Sequence, residues 1–302
     1  MFVSRLTRRS RLGTYVAAAV GILSFVFFSR SAAAEAVYFS VLSYNTHGLP
    51  AWIARDQPEE RFPQIGKLAA TYDIALFQEN FVDADFRALA DALPGRFIAR
   101  GNGSRAGWLA LLSTFCGSCG SGLTTAVNGR FQAELLDRKG YGSCSGWVGS
   151  ANDCWATKGY LATRLRLTNG ASVDVYDLHL DAGGGETDHD VRRAQLDVLR
   201  AAIKRMSATH ALIVAGDFNL DPRTPRDRIL LDRFVGDLQL VHSDAGGSVT
   251  KWAEQIDHIL YRSGQGTELE LVDSGEAKEF LAAGKTPLSD HPAVFARFEA
   301  KP

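Results

Sequence analysis

The 302-residue sequence has no excess of charge of either sign, since 33 lysine and arginine residues face 34 aspartate and glutamate residues, a formal net charge of −1. Internal repeats, linkers and blocks of like charge are also absent from it. The composition, with 46% hydrophobic and 22% charged residues, excludes collagen-like, low-complexity and disordered chains. The charge balance also argues against a strongly basic nucleic-acid-binding protein.

A long hydrophobic run is missing as well. The uncharged, largely apolar run at residues 15–28 has 14 residues, whereas a helix that spans a bilayer needs about 20. The stretch follows an arginine-rich start and precedes the three alanines 32–34, a pattern typical of a secretory signal peptide. We therefore expect a signal peptide at 1–34 and a catalytic domain at 35–302, secreted or periplasmic after cleavage. A retained membrane anchor is the alternative.

Removal of the signal peptide changes the charge balance. Residues 1–34 contain five arginines and no acidic residue, so the remaining 268 residues carry 28 basic and 34 acidic side chains, a net charge of −6. That length fits one large α/β domain. Non-specific nucleases gain most of their affinity from lysine and arginine contacts to phosphates. An acidic mature chain therefore makes nucleic acid a less favoured partner, unless a basic stripe is hidden within it.

Cysteine is scarce, with four residues, Cys116, Cys119, Cys144 and Cys154. In an exported protein four cysteines indicate two disulfides. We favour local pairing, Cys116 with Cys119 and Cys144 with Cys154. Zinc binding and a redox C-x-x-C motif are alternatives, but only the first pair has that spacing and no histidine lies close by.

Strand and helix patterns alternate along the rest of the chain. They predict one domain in which mixed sheets are covered by helices. Strands are expected at 36–44, 74–77, 160–167, 172–180, 211–215, 256–261, 268–272 and 293–298, and helices at 58–72, 83–93, 187–206 and 224–235.

Conspicuous polar residues lie at the ends of these apolar strands. A single carboxylate there is usually a turn former or a helix cap. Six such clusters along one chain favour a cleft, because strand ends at one edge of a sheet converge in space. The clustered residues are Asn45, Glu79, His179, Asp181, Asp217, Asn219, Asp257, Asp290 and His291.

The residue types in these clusters suit one chemistry. Asparagine and carboxylate oxygens are hard ligands that fit Mg²⁺ or Mn²⁺, or another divalent cation, better than a dedicated zinc site. Histidines beside carboxylates serve as acids, bases or hydrogen-bond donors near neutral pH. A metal, an acid–base histidine and a carboxylate near water together indicate phosphoester hydrolysis.

The motifs Y-N-x-x-G-L, F-Q-E-N, H-L-D, G-D-F-N, Q-I-D-H-I-L and S-D-H-P-A, in this order, resemble the endonuclease/exonuclease/phosphatase superfamily from about Val37 to Phe298. The resemblance implies an α/β fold, a four-layer α/β sandwich with two mixed β-sheets flanked by helices. Within the superfamily the chain looks most like secreted neutral sphingomyelinases. That likeness rests on S-Y-N-T-H-G-L-P, on Ser121-Gly122-Leu123, and on Cys144…Cys154-Trp155 followed by Lys158-Gly159-Tyr160.

The resemblance implies roles for the matching residues. Glu79 is the main metal ligand, with Asn45 beside it. Asp217 and Asn219 orient the phosphate and the attacking water, and His179 donates to the phosphate oxygen that gains charge.

Proton transfer is implied for a second group of residues. His291 is the general base, Asp257 orients it, and Asp290 assists the metal or the water. For Lys158 and His47 a place in the site and a structural role are about equally favoured. A structural or exposed position is expected for His189, Arg192, Gln195, His210, His242 and His258.

The sequence therefore predicts a secreted, divalent-metal-dependent phosphodiesterase, a monomer, that hydrolyses a phospholipid head group by in-line attack of water. A sphingomyelin-type substrate is favoured. A secreted nuclease or an inositol-phosphate phosphatase of the same fold is the alternative, and a binding module without activity is disfavoured because every expected polar position is filled. Transient contact with a membrane surface would involve the apolar residues Trp108, Leu109, Leu111 and Leu112, which could equally belong to the core, or Trp252.

Overall fold

The computed structural model describes residues 1, 35–51, 55–102, 120–146, 153–154, 156–243, 256–282 and 284–302. The expected signal peptide lies outside them, apart from Met1. Also outside them lie Cys116 and Cys119, and the candidate membrane-contact residues Trp108, Leu109, Leu111, Leu112 and Trp252.

The described residues form twelve strands and four helices. The helices are α1 (Pro58–Ala69), α2 (Asp83–Asp91), α3 (Glu186–Met206) and α4 (Pro225–Leu238). The strands are β1 (Val37–Gly48), β2 (Ile74–Asn80), β3 (Phe97–Arg100), β4 (Thr124–Val127), β5 (Gln132–Gly140), β6 (Gly159–Arg166), β7 (Ser172–His179), β8 (Ala211–Asp217), β9 (Val241–His242), β10 (Asp257–Arg262), β11 (Glu268–Glu276) and β12 (Val294–Lys301).

The strands build two six-stranded sheets. The first has the order β11-β12-β1-β2-β4-β3, and the second has the order β5-β6-β7-β8-β10-β9. β1 pairs with β2 in parallel, as β7 does with β8, and the remaining pairs are antiparallel. Both sheets are therefore mixed, as the sequence predicts.

Helices cover the outer face of each sheet. Phe62 and Ile65 of α1 and Leu89 of α2 share a buried cluster with the outward side chains of β1 and β2. Leu199 of α3 and Phe234 of α4 do the same for the second sheet. A third cluster fills the space between the sheets. The predicted four-layer sandwich is confirmed.

The alternation of side chains along a strand also positions polar groups between the sheets. In β1, Phe39 and Val41 belong to the inter-sheet core, whereas Leu42 and Tyr44 face the helices. Because of the same two-residue alternation, Ser43 and Asn45 also point inwards. The apolar core is therefore replaced by polar side chains towards the end of the strand. Each central strand contributes to this polar edge in the same way.

Several strands differ from their predicted extents. β1 and β8 extend beyond the predicted strands 36–44 and 211–215 and include Asn45 and Asp217, so these two residues occupy strand positions and do not lie beyond the strand. The pattern missed β3, β4, β5 and β9. β5 is a largely exposed edge strand with several charged residues, and a charged edge strand lacks the apolar signal used for prediction.

None of the helices among the described residues combines the length and apolar content that crossing a bilayer requires.

The structure confirms one of the expected disulfides, Cys144–Cys154, which closes a loop with a sequence separation of 10. The backbone N–H of Ser145, next to the first cysteine, donates to the buried carboxylate of Asp181 at 2.6 Å. The crosslinked loop is thereby attached to the segment that follows β7.

We expect the double variant Cys144→Ser/Cys154→Ser to lose about 2–3 kcal/mol of unfolding free energy, because the open loop regains conformational entropy when the chain unfolds. Urea unfolding monitored by circular dichroism measures the loss, with the disulfide-bonded wild-type protein as the reference. Equal midpoints for the two proteins would contradict a stabilising role.

Candidate functional site

A row of polar residues crosses the second sheet at one edge. Gly159 of β6 is paired with His179 of β7, His179 with Asp217 of β8, and Asp217 with Asp257 of β10. In the first sheet Asn45 of β1 is paired with Gln78 of β2, directly before Glu79. The sequence-predicted residues are therefore brought to one end of the sandwich by strand register.

Asp217 lies at the centre of the site and is buried. Its carboxylate accepts hydrogen bonds from Asn45 Nδ2 at 3.0 Å and from the backbone N–H of Asn219 at 2.9 Å. His179 Nε2 lies 3.3 Å away and His291 Nε2 lies 3.9 Å away. Burial alone would raise the pKa of Asp217, but the two histidines hold it below its usual range. The carboxylate is therefore ionised at neutral pH.

His291 lies beside Asp217 and bonds to a second buried carboxylate. Its Nδ1 is 2.7 Å from Asp257 Oδ2. Burial alone would lower the pKa of His291, but the hydrogen bond and charge of Asp257, with the charge of Asp217, raise it to about 10. Burial and the charge of Asp217 raise the pKa of Asp257. Before metal and substrate bind, the ring is therefore an imidazolium, and it must lose this proton before it can act as a base.

Glu79, the next-to-last residue of β2, has a left-handed backbone conformation with φ 57°. Its Oε1 is 3.8 Å from His179 Nε2 and its Oε2 is 3.9 Å from His47 Nδ1, and it accepts no hydrogen bond from any residue that the structure describes. Asp290 Oδ2 is 3.2 Å from His47 Nδ1, which places Asp290 on the same side of the site. His47, for which the sequence favours a place in the site and a structural role about equally, lies in the site.

The donor set fits a divalent cation. The Glu79 carboxylate is largely buried, at 17% exposure, and accepts no hydrogen bond from a described residue. On the adjacent strand Asn45 offers an amide oxygen, which accepts the His47 N–H at 3.1 Å and has a second lone pair. Oxygen ligands of this kind suit Mg²⁺. A competing group comprises Asp217, Asp257 and His291, whose potential ligand atoms all lie within 4.8 Å of one another. His291 and Asp257 already bond to each other there, which favours Glu79 and Asn45 as the ligands.

Two glycines permit the close approach of strands at the site. Gly216, before Asp217, has φ 147°, and a Cβ there would lie 2.0 Å from Leu178 O. A Cβ on Gly48 would lie 2.3 Å from Glu79 O. These contacts explain the glycines of G-D-F-N and Y-N-x-x-G-L.

Lys158, which the sequence analysis left undecided, lies in the site. It is buried, with Nζ 2.7 Å from His179 Nε2 and 3.2 Å from Asp153 Oδ1. The Asp153 carboxylate also accepts a hydrogen bond from the backbone N–H of Ala182 at 2.7 Å. Sequence reasoning missed Asp153, whose only signal was its place beside Cys154.

The side chain of Asn219 is partly committed to structure, since Nδ2 donates to Leu180 O at 2.9 Å. Its proposed contact with phosphate stays a prediction, as do the individual roles of the other site residues.

Arg192 and Gln195 pack as expected. Arg192 Nη1 donates to the carbonyl oxygens of residues 181–183, and Gln195 Nε2 donates to Asp181 Oδ1 at 2.6 Å. His189, which was expected to be exposed, is half-buried. His258, for which the sequence shows no clear partner, has a structural position, buried with Nε2 3.1 Å from Leu220 O.

We expect Asp257→Asn to lower the pKa of His291 by about two pH units, because the variant removes the charge that stabilises the imidazolium. An NMR titration of the ring in metal-free protein measures this. Asp273→Asn, an exposed position in the first sheet, is the matched control and should leave the value unchanged. An unaltered His291 titration in Asp257→Asn would contradict the electrostatic account.

Comparison with known proteins bears on this geometry. Residues 42–291 match the endonuclease/exonuclease/phosphatase family. The chain is 32% identical over 271 residues to a sphingomyelinase of Mycobacterium tuberculosis, covering 85% of this chain and 52% of that protein. It thus spans about half the length of the curated relatives it matches.

Solved structures show the same fold. A variant of β toxin from Staphylococcus aureus with bound magnesium ions has a TM-score of 0.59 at 17% identity, covering 86% of this chain and 99% of that chain. Sphingomyelinase C from Streptomyces griseocarneus has a TM-score of 0.58 at 20% identity, with the same coverage of 86% and 99%. Fold, motifs and family match agree, and the chain belongs to the endonuclease/exonuclease/phosphatase family of hydrolases.

Proposed function

We propose that the chain is a divalent-metal-dependent phosphodiesterase that hydrolyses the head-group ester of a sphingomyelin-type phospholipid after export. One observation carries the proposal. The carboxylate of Glu79, in the first sheet, accepts no hydrogen bond from a described residue and lies 3.8 Å from His179 of the second sheet. Asp217 lies 3.3 Å from the same histidine and 3.9 Å from His291, near the end of the chain. A carboxylate able to hold a cation therefore faces ionisable groups able to bind phosphate and move a proton.

Glu79 and Asn45 would hold the metal. Mg²⁺ bound there would stabilise the charge that develops on phosphate and leaving oxygens. The chain's own contribution is to place these ligands next to groups that bind the substrate.

Lys158 and His179 form the phosphate-binding side. Lys158 Nζ lies 2.7 Å from His179 Nε2, and Asp153 fixes the lysine from its other side. Donors preorganised in a buried site stabilise an oxyanion more strongly than the same donors in water. We infer that a non-bridging phosphate oxygen lies against this pair.

His291 exchanges the proton of the reacting water. Asp257 fixes the ring through Nδ1, so that Nε2 faces Asp217 and the cleft. Since the free ring holds its proton, binding of metal and substrate must release that proton if His291 is the base. Asp217, ionised between two histidines, keeps both rings oriented.

The choice of substrate rests on the curated relative and on charge. The M. tuberculosis relative is a sphingomyelinase, and the expected mature charge of −6 gives no general attraction for nucleic acid. Nuclease and inositol-phosphate phosphatase activities of the same fold are the alternatives that experiment must separate.

A parallel assay tests the function. Purified chain 35–302, with Mg²⁺ or with EDTA, is incubated with sphingomyelin, phosphatidylcholine, plasmid DNA and inositol phosphates. We expect release of the phosphorylated head group from sphingomyelin with Mg²⁺ only. Cleavage of DNA without cleavage of lipid would refute the substrate assignment.

Variants test the site within that assay. Glu79→Gln, Asp217→Asn and His291→Ala should each lower kcat/KM by about a hundredfold or more, since each removes a charge or proton carrier next to the reacting group. Glu186→Gln, at an exposed position in the first turn of α3, is the matched control and should retain activity. Normal activity in all three site variants would show that the reaction occurs elsewhere.

A further inference from the structure

A buried polar pair joins the two sheets beside the candidate site. Gln78 of β2 donates from Nε2 to Asp177 Oδ1 of β7 at 2.7 Å, and both side chains are 0% exposed. Gln78 directly precedes Glu79, and Asp177 is two residues before His179 on the same face of its strand. The pair therefore links the strand that presents the proposed metal ligand to the strand that presents the phosphate-binding histidine.

Each partner also has an oxygen that no described residue satisfies, Gln78 Oε1 and Asp177 Oδ2. If Asp177 were ionised, both atoms could only accept hydrogen bonds, and both would be buried without a donor. An unsatisfied buried acceptor is costly, and an uncompensated buried charge is more so. A proton on Asp177 Oδ2 turns one acceptor into a donor and lets the two oxygens satisfy each other.

The surroundings of Asp177 supply no cation to balance a negative charge. Leu161 of β6 and Ala215 of β8 flank it within its sheet. Within the first sheet, Gln78 Nε2 also donates to Ser43 Oγ of the neighbouring strand β1, at 3.4 Å. The phenol of Tyr141 is the titratable group that interacts with Asp177, and its pKa is raised chiefly by burial. Burial raises the pKa of Asp177 well above its ordinary value, and it outweighs the hydrogen bonds from Gln78 and from the Leu178 backbone N–H, which lower that pKa.

We propose that Asp177, as a neutral carboxylic acid, and Gln78 form a reciprocal acid–amide pair that positions Glu79 and His179 relative to each other. Both residues are positioning residues, since neither reaches the cleft. The positioning part of the proposal rests on the proposed metal-dependent function, whereas the protonation state of Asp177 does not. The bond from Asn45 to Asp217 is the corresponding link between the sheets in the site itself.

The protonation state is tested by stability against pH. Asp177→Asn forms the same reciprocal pair without a titrating proton. A carboxyl group that stays protonated in the folded state but ionises at its usual value in the unfolded state destabilises the fold as pH rises. The folding equilibrium constant of Asp177→Asn relative to wild type should therefore increase up to tenfold per pH unit between pH 5 and pH 8. A ratio that does not change with pH would show an ionised Asp177 and overturn the pair.

The positioning role is tested by activity and metal affinity. Gln78→Leu/Asp177→Leu replaces the pair with apolar side chains of similar size. Such replacement of a buried polar pair often leaves the stability of the fold unchanged. We expect the double variant to fold, but to lose at least about tenfold in both Mg²⁺ affinity and kcat/KM. Asp177→Asn should stay within about threefold of wild type in both measurements, because the asparagine amide can form the same two hydrogen bonds with Gln78.

Thr163→Val is the matched control, because it removes a buried hydroxyl of the same interface that bonds to no described residue; its activity should not change. Wild-type activity and affinity in the double leucine variant would overturn the positioning role. If wild type hydrolyses none of the four substrates, the proposed function fails. The pH dependence of stability and the calorimetric Mg²⁺ affinity then decide the present proposal independently.

Discussion

The buried negative charge of Asp217 is the constraint on which the rest of the site depends. A carboxylate enclosed between two sheets is costly unless charged or polar donors surround it. Here Asn45 donates from the first sheet, the Asn219 backbone donates from the following turn, and His179 and His291 lie on either side. The groups that stabilise this buried charge in the folded protein are the same groups that hydrolysis of a phosphoester would require.

The sandwich supplies this arrangement through strand register. Inward-facing side chains are apolar through most of the interface between the sheets and polar at one edge. The same two-residue alternation along the strands therefore generates both the core and the site. His179, Asp217 and Asp257 are neighbours across three adjacent strands because their registers align. Glu79 joins them from the other sheet through a left-handed residue, where its carboxylate remains available for a cation.

The sequence allowed the architecture and most of the site to be predicted, because apolar alternation and strand-end polar residues are local signals. Lys158 and Asp153 could not be assigned from it, since their contacts with His179 and each other depend on how a crosslinked loop folds back over the edge. Asp177 was hidden for a different reason. The sequence of an apolar strand with a single acidic residue indicates neither which residue that side chain contacts across the interface nor whether it is protonated.

In the proposed site Glu79 and Asn45, rather than the cluster of Asp217, Asp257 and His291, hold the divalent ion. Anomalous X-ray scattering from crystals soaked in Mn²⁺ locates that ion directly. We expect a manganese peak within coordination distance of a Glu79 carboxylate oxygen and the Asn45 amide oxygen, and its loss in Glu79→Gln crystals. A peak bound by Asp217, Asp257 and His291, with Glu79 uninvolved, would contradict it.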